Sequence, residues 1–242
     1  MDNGYFILSW EYNPSSTLGK ECMLKNWDIN TPLEFQATEN FYLIKGIKYT
    51  RVTRILSIID KPELRNWYAD TGRVKAREIL KKRATFGSTL HKLIEVSLSG
   101  EKITKENYDK SIIETFNLFE NWKNKNNIII EAVEQHLWSD KYKYAGTCDC
   151  IAIINGKRVL CDWKTSKGIY PEYVLQIAAY FHAFKELTNI ELDGAIILQM
   201  RDNKYCEKYY TKEELKEAFK IFLHAKEIFE WKHNMVINNE KL

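Results

Sequence analysis

Asp149 and Asp162 stand on either side of Asn155-Gly156, which separates two apolar runs, Tyr144 to Ile154 and Lys157 to Lys164. Asn-Gly between such runs signals a two-residue hairpin, because both turn positions need positive φ. Ile154 then faces Lys157, and counting back along both strands places Asp149 opposite Asp162. Lys164 shares the face of Asp162, since side chains alternate along a strand. Carboxylates opposed at about 5 Å repel and destabilise a sheet. A divalent cation would offset that repulsion, and carboxylate oxygens suit Mg²⁺ or Mn²⁺. The plainer alternative is a solvated acidic face with a bulge or another register. Against it, Ile151, Ile153 and Leu160 accompany the aspartates on one face. Cys148, Cys150, Ala152, Val159, Cys161 and Trp163 occupy the other. A hairpin apolar on both faces belongs inside an α/β sheet, where charges persist when paired or metal-bound.

Asp149 followed by Asp162-Trp163-Lys164 resembles the signature of the PD-(D/E)XK nuclease superfamily. Ala145-Gly146-Thr147 before the first aspartate, Thr165 after the lysine, and Gln176 with Tyr180 resemble its RecB-like branch. That branch includes viral exonucleases and the mitochondrial genome maintenance exonucleases. The likeness runs from about Tyr49 onward, with Cys148 in place of the proline of the motif's name. It implies a restriction-endonuclease-like α/β core, a central mixed β-sheet flanked by helices. It also implies a metal-dependent DNA exonuclease acting in recombination, replication or repair, with a virus among the expected sources. Asp149 and Asp162 would bind one or two Mg²⁺ or Mn²⁺ ions. Lys164 would orient or deprotonate the attacking water. His91, in a Gly87-x-x-x-His91 element, would be a further ligand, as would the backbone carbonyl of Trp163. Glu134, Thr165, Gln176 and Tyr180 would support this shell or the substrate. Some RecB-like exonucleases carry an iron-sulfur cluster on three C-terminal cysteines. Only Cys206 lies beyond Cys161 here, so no cluster is expected.

These residues need elements to hold them. Gly72 to Leu98 reads as a long helix on which Gly87, His91 and Glu95, spaced by four, share a face. Glycine inside a helix costs about 1 kcal/mol relative to alanine, so Gly87 suggests close approach by another element. The basic residues ahead of it, Arg73 to Arg83, suit phosphates or a solvated face equally. Thr50 could cap a helix over Val52 to Ile59, and Pro62 opens another through Trp67. Lys105 to Lys125 carries an apolar stripe of Ile112, Phe116 and Phe119. Ile128 to Trp138 reads as the first strand of the sheet, with Glu131 and Glu134 on opposite faces. Pro171 to Leu187 is a helix that presents Gln176 and Tyr180 on one side. Strands at Asp193 to Met200 and Tyr205 to Tyr210 follow. A capping box, Thr211-x-x-Glu214, opens the last helix. Before all this, Phe6 to Tyr12, Leu33 to Phe35 and Phe41 to Ile44 look strand-like.

The 242 residues, 45% hydrophobic, suffice for one nuclease domain. Residues 1–45 form an extension of unassigned role, 46–126 a helical wall and 127–242 the sheet core. Net charge is only +3, so a DNA site must be locally basic. DNA, single-stranded or with free ends, is the expected partner, with no membrane. Five cysteines without regular spacing suit a reducing compartment. No secretory or transit signal is visible, so the cytoplasm, or a host's cytoplasm, is expected. Two other functions remain open: an endonuclease with the same site, and a catalytically silent relative that binds nucleic acid or protein.

Overall fold

The computed structural model describes residues 35–239, and their side chains from 36 to 234. The strand expected at Phe6 to Tyr12 and the residues Leu33 and Glu34 lie outside that range. Three short strands come first: β1 (Phe35–Ala37), β2 (Phe41–Ile44) and β3 (Ile47–Arg51). Then come α1 (Val52–Ile55), α2 (Pro62–Thr71), α3 (Arg73–Leu98) and α4 (Lys110–Lys125). The core continues with β4 (Ile128–Ser139), β5 (Tyr144–Ile154) and β6 (Lys157–Lys164). It ends with α5 (Pro171–Thr188), β7 (Gly194–Arg201), β8 (Lys204–Thr211) and α6 (Lys212–Asn239).

The result is an α/β fold with one mixed sheet flanked by helices. Its order is β1-β2-β3-β5-β6-β7-β8, with β4 pairing along β5. β5 and β6 pair antiparallel, β6 and β7 parallel, β7 and β8 antiparallel. β4 is not the first strand, because the β1–β3 meander precedes it and joins β5 at Thr50↔Tyr144. Thr50 lies within β3 and caps nothing; α1 is one turn, followed by a 3₁₀ turn at Leu56–Ile58. The capping box is present: Glu214 N–H donates to Thr211 Oγ1, and Thr211 N–H donates to Glu214 Oε2.

Each sheet face has its own core, as expected for strands apolar on both sides. Ile151 and Leu160 pack with α5 and α6 residues such as Ala179, Phe184 and Phe222. Cys150, Cys161 and Trp163 pack with Leu90, Phe119 and Trp122 of α3 and α4. The Trp163 ring meets Phe119 and Trp122 edge-on, at centroid distances of 5.3 and 5.6 Å. Such aromatic pairs contribute about 0.5–1.5 kcal/mol each beyond burial, and here they clamp the end of β6 that carries Asp162 and Lys164.

Two expectations need correction. The turn sets the predicted register, with Asn155 and Gly156 both at positive φ, and pairing runs from Ile154↔Lys157 to Cys150↔Cys161. It stops there, so Asp149 and Asp162 are not a ladder pair. Cys148 also leaves the face of Cys150 and joins the core of Ile151. The neighbouring strand breaks at the same level: Glu134 has φ +49, uncommon for a residue with a side chain. Glu131 sits at a bulge between Ile130 and Ala132. It is buried and accepts two hydrogen bonds from Arg158, at 2.7 and 3.0 Å.

Candidate active site

The site is built where β5 and β6 part. Beyond Cys150, the carboxylate of Asp149 replaces a ladder bond: its Oδ2 accepts the backbone N–H of Trp163 at 2.6 Å. The other oxygen, Oδ1, lies 3.4 Å from His91 Nδ1 on α3. Glu134 joins them from the strained point of β4. Possible ligand atoms of His91, Glu134 and Asp149 all lie within 4.8 Å of one another. Gly87 faces Thr165, whose Oγ1 a Cβ would meet at 3.4 Å, an ordinary van der Waals contact, so the packing there does not by itself demand glycine. Packing one turn away thus sets the height at which His91 enters the site.

Asp162 and Lys164 form the second half. The ammonium is 2.8 Å from Asp162 Oδ1 and 2.6 Å from Oδ2. Oδ2 is buried and, apart from that ion pair, has no hydrogen bond among the described residues. From the far side Gln176 Oε1 accepts from Lys164 at 3.3 Å, and Gln176 Nε2 donates to Tyr180 OH at 3.1 Å. Tyr180 lies across Gly146, where any Cβ would overlap its ring. Gly146, Tyr180, Gln176 and Lys164 are therefore one stack that fixes the ammonium. Tyr173 completes it, its ring 4.8 Å beneath the Lys164 nitrogen. The motif spacing does not mark Tyr173, though its place three residues before Gln176 on α5 puts it on the same side of the helix. Trp163 meets Asp149 through its N–H. Glu134, expected only as support, lies in the cluster of possible ligands.

Electrostatics follow from this packing. Burial pulls His91 down, but the charge and hydrogen bond of Asp149, helped by Asp162, lift it to about 9. Burial, then the Asp149 charge, push Glu134 up to about 7. Burial raises Asp162 to about 6 against the pull of Lys164, with Asp149 adding to the rise. Asp149 alone goes down: burial opposes this, but His91, Lys164 and the Trp163 N–H outweigh it. Lys164 is raised; burial works against it, and Asp162 and Asp149 overcome burial.

Two hollows open beside the site. The larger is a cleft of about 1010 Å³ between α2, α3 and α5, reaching Tyr173 and Gln176. Arg65, Arg73 and Arg77 line it together with Leu64 and Tyr68.

Two mammalian exonucleases are similar to this chain in sequence. Mitochondrial genome maintenance exonuclease 1 of Homo sapiens is 27% identical over 164 residues, 62% of this chain and 47% of that protein. The protein of the same name from Mus musculus is 28% identical over 95 residues, 36% of this chain and 28% of its own length. This chain is homologous to these exonucleases. That homology is consistent with the PD-(D/E)XK exonuclease-like superfamily that the motifs resemble. The chain spans about half, or less, of the length of these curated relatives. No family model matches the chain. Looser likenesses in solved structures are to SSO0001 and to the alkaline exonuclease LHK-Exo of Laribacter hongkongensis. SSO0001 has TM-score 0.37 and 16% identity, covering 78% of each chain. LHK-Exo has TM-score 0.32 and 10% identity, covering 78% of this chain and 94% of that one.

The raised groups give a pH prediction for the metal-free protein. His91, Glu134 and Asp162 all hold protons more tightly folded than unfolded. Their contribution is full below their unfolded pKa values and is lost as pH rises through the folded ones. With chelator present, the melting temperature should therefore fall from about pH 4 to about pH 9, and Glu134→Gln should flatten the part between about pH 4.5 and pH 7. A chelated wild type with no decline over this range would mean that the cluster is not as crowded as drawn.

Proposed function

We propose that this chain is a single nuclease domain that hydrolyses DNA phosphodiester bonds from free ends, with Mg²⁺ or Mn²⁺, in recombination, replication or repair. A viral source and a cytoplasmic setting are part of the same proposal. The observation that carries it is the His91–Glu134–Asp149 cluster beside the buried Asp162–Lys164 pair. The donors fit the metal. Oxygen ligands with one imidazole suit a hard divalent cation, and the Asp162 oxygen that makes no hydrogen bond keeps a lone pair open to one besides its ion pair with Lys164.

Asp149, Glu134 and His91 would hold the ion, with Asp162 and the Trp163 carbonyl beside them. Bound there, it would acidify a water and neutralise phosphate charge. Lys164, kept cationic by the two aspartates, would place positive charge where the phosphate becomes more negative. Gln176 and Tyr173 would keep that ammonium from swinging away. The arginine-lined cleft would guide the strand. Its aromatic walls, Tyr68 and Tyr173, favour single-stranded DNA, whose bases are free to stack.

An endonuclease would share this chemistry, so the test uses substrate shape. With Mn²⁺, linear single-stranded DNA should be degraded while a closed circle of the same sequence survives. Circles cut as fast as linear strands would give the endonuclease reading. No cleavage of either would leave only a binding relative.

A further inference from the structure

Thr165, the residue after Lys164, lines the second hollow, about 390 Å³ in volume. Arg83 and Phe86 of α3 form one wall, Glu114 of α4 another, and Met200 and Arg201 at the end of β7 a third. The two hollows approach the same lysine from opposite sheet faces. The cleft reaches the α5 side through Tyr173 and Gln176, and the smaller hollow reaches the α3–α4 side through Thr165. Gln199 Nε2 donates to Ser166 O at 2.6 Å and pins the loop between them. A strand that follows the cleft past the end of β6 would meet the smaller hollow at Thr165.

We propose that this second hollow holds the fragment leaving the scissile bond, one or a few nucleotides long, with Arg83 and Arg201 on its phosphate and the base against Phe86. This rests on the nuclease reading above and adds the product side to it. The volume is at the lower end of the roughly 300–1,000 Å³ typical of small-molecule sites, so it takes a short piece and no longer strand. Arg201 is half-buried and rests on Asp202 at 3.3 Å, and Arg83 stacks over Trp67 at 5.6 Å. Both guanidinium groups are thus already oriented, as planar recognition of phosphate requires. Glu114 and Asp202, which also lines the hollow, are the opposing charges, and they cap how tightly an anion can bind.

The test is direct titration of thymidine monophosphate and of its phosphorylated dinucleotide into the metal-free Asp162→Asn protein, where no cleavage can interfere. The Arg83→Ala/Arg201→Ala protein should bind these probes at least about ten-fold more weakly, the loss of charge-assisted hydrogen bonds. Glu114→Gln should bind them more tightly. Glu114 is exposed, so this second variant keeps the test open even if the Arg201 turn rearranges. Unchanged affinity in both variants would overturn the proposal. It would do so without touching the nuclease reading, which stands or falls on cleavage by the wild type.

Discussion

Asp162→Asn should lower Mn²⁺-supported DNA cleavage by about a hundred- to a thousand-fold, the usual cost of removing one preorganised electrostatic group. The same change should leave the metal-free protein as stable as wild type at pH 8, or more stable. Asparagine keeps the shape of the side chain and can still accept from Lys164. It removes a buried negative charge that Asp149 opposes and that is protonated only below about pH 6 in the folded chain. Activity and stability thus move in opposite directions, which a folding defect cannot imitate. The measurements are cleavage of end-labelled linear DNA and melting with chelator. Cleavage within ten-fold of wild type would remove Asp162 from the site.

Arg158→Ala should be the most damaging change far from the chemistry. Glu131 is buried at the bulge of β4 with 1% of its surface exposed, and Arg158 is its bidentate partner. Without that partner a carboxylate is stranded inside the fold. Breaking a buried pair costs about 3–5 kcal/mol. Arg158 is a quarter exposed, so the lower end applies. About 3 kcal/mol in a chain of this size is a fall in Tm of roughly 6–12 °C. Replacing both residues together by leucine should recover most of the loss, since an apolar pair leaves no uncompensated charge. A double variant no better than Arg158→Ala would show that the pair does more than neutralise itself.

The contrast between Glu131 and Glu134 shows where sequence reasoning stops. Both stand on one strand three residues apart, and alternation places them on opposite faces. Nothing local says that one is stapled to an arginine and the other turned into a cluster with His91 and Asp149. That outcome depends on a bulge at Glu131 and a left-handed backbone at Glu134, both arising where β4 meets β5.

The sequence by itself determined the hairpin, its register as far as Cys150, the apolar character of both sheet faces, the capping box of the last helix and the residues worth watching. These are short-range matters: turn chemistry, periodicity and spacing act between neighbours in the chain. Tertiary structure alone decided that β5 and β6 part below Cys150, so that Asp149 grips the Trp163 amide instead of facing Asp162 across a ladder. It also decided that Tyr173 underlies Lys164, and that two hollows meet at the end of β6. Each depends on helices packing onto the sheet from distant parts of the chain, and no local rule encodes the angle at which they arrive.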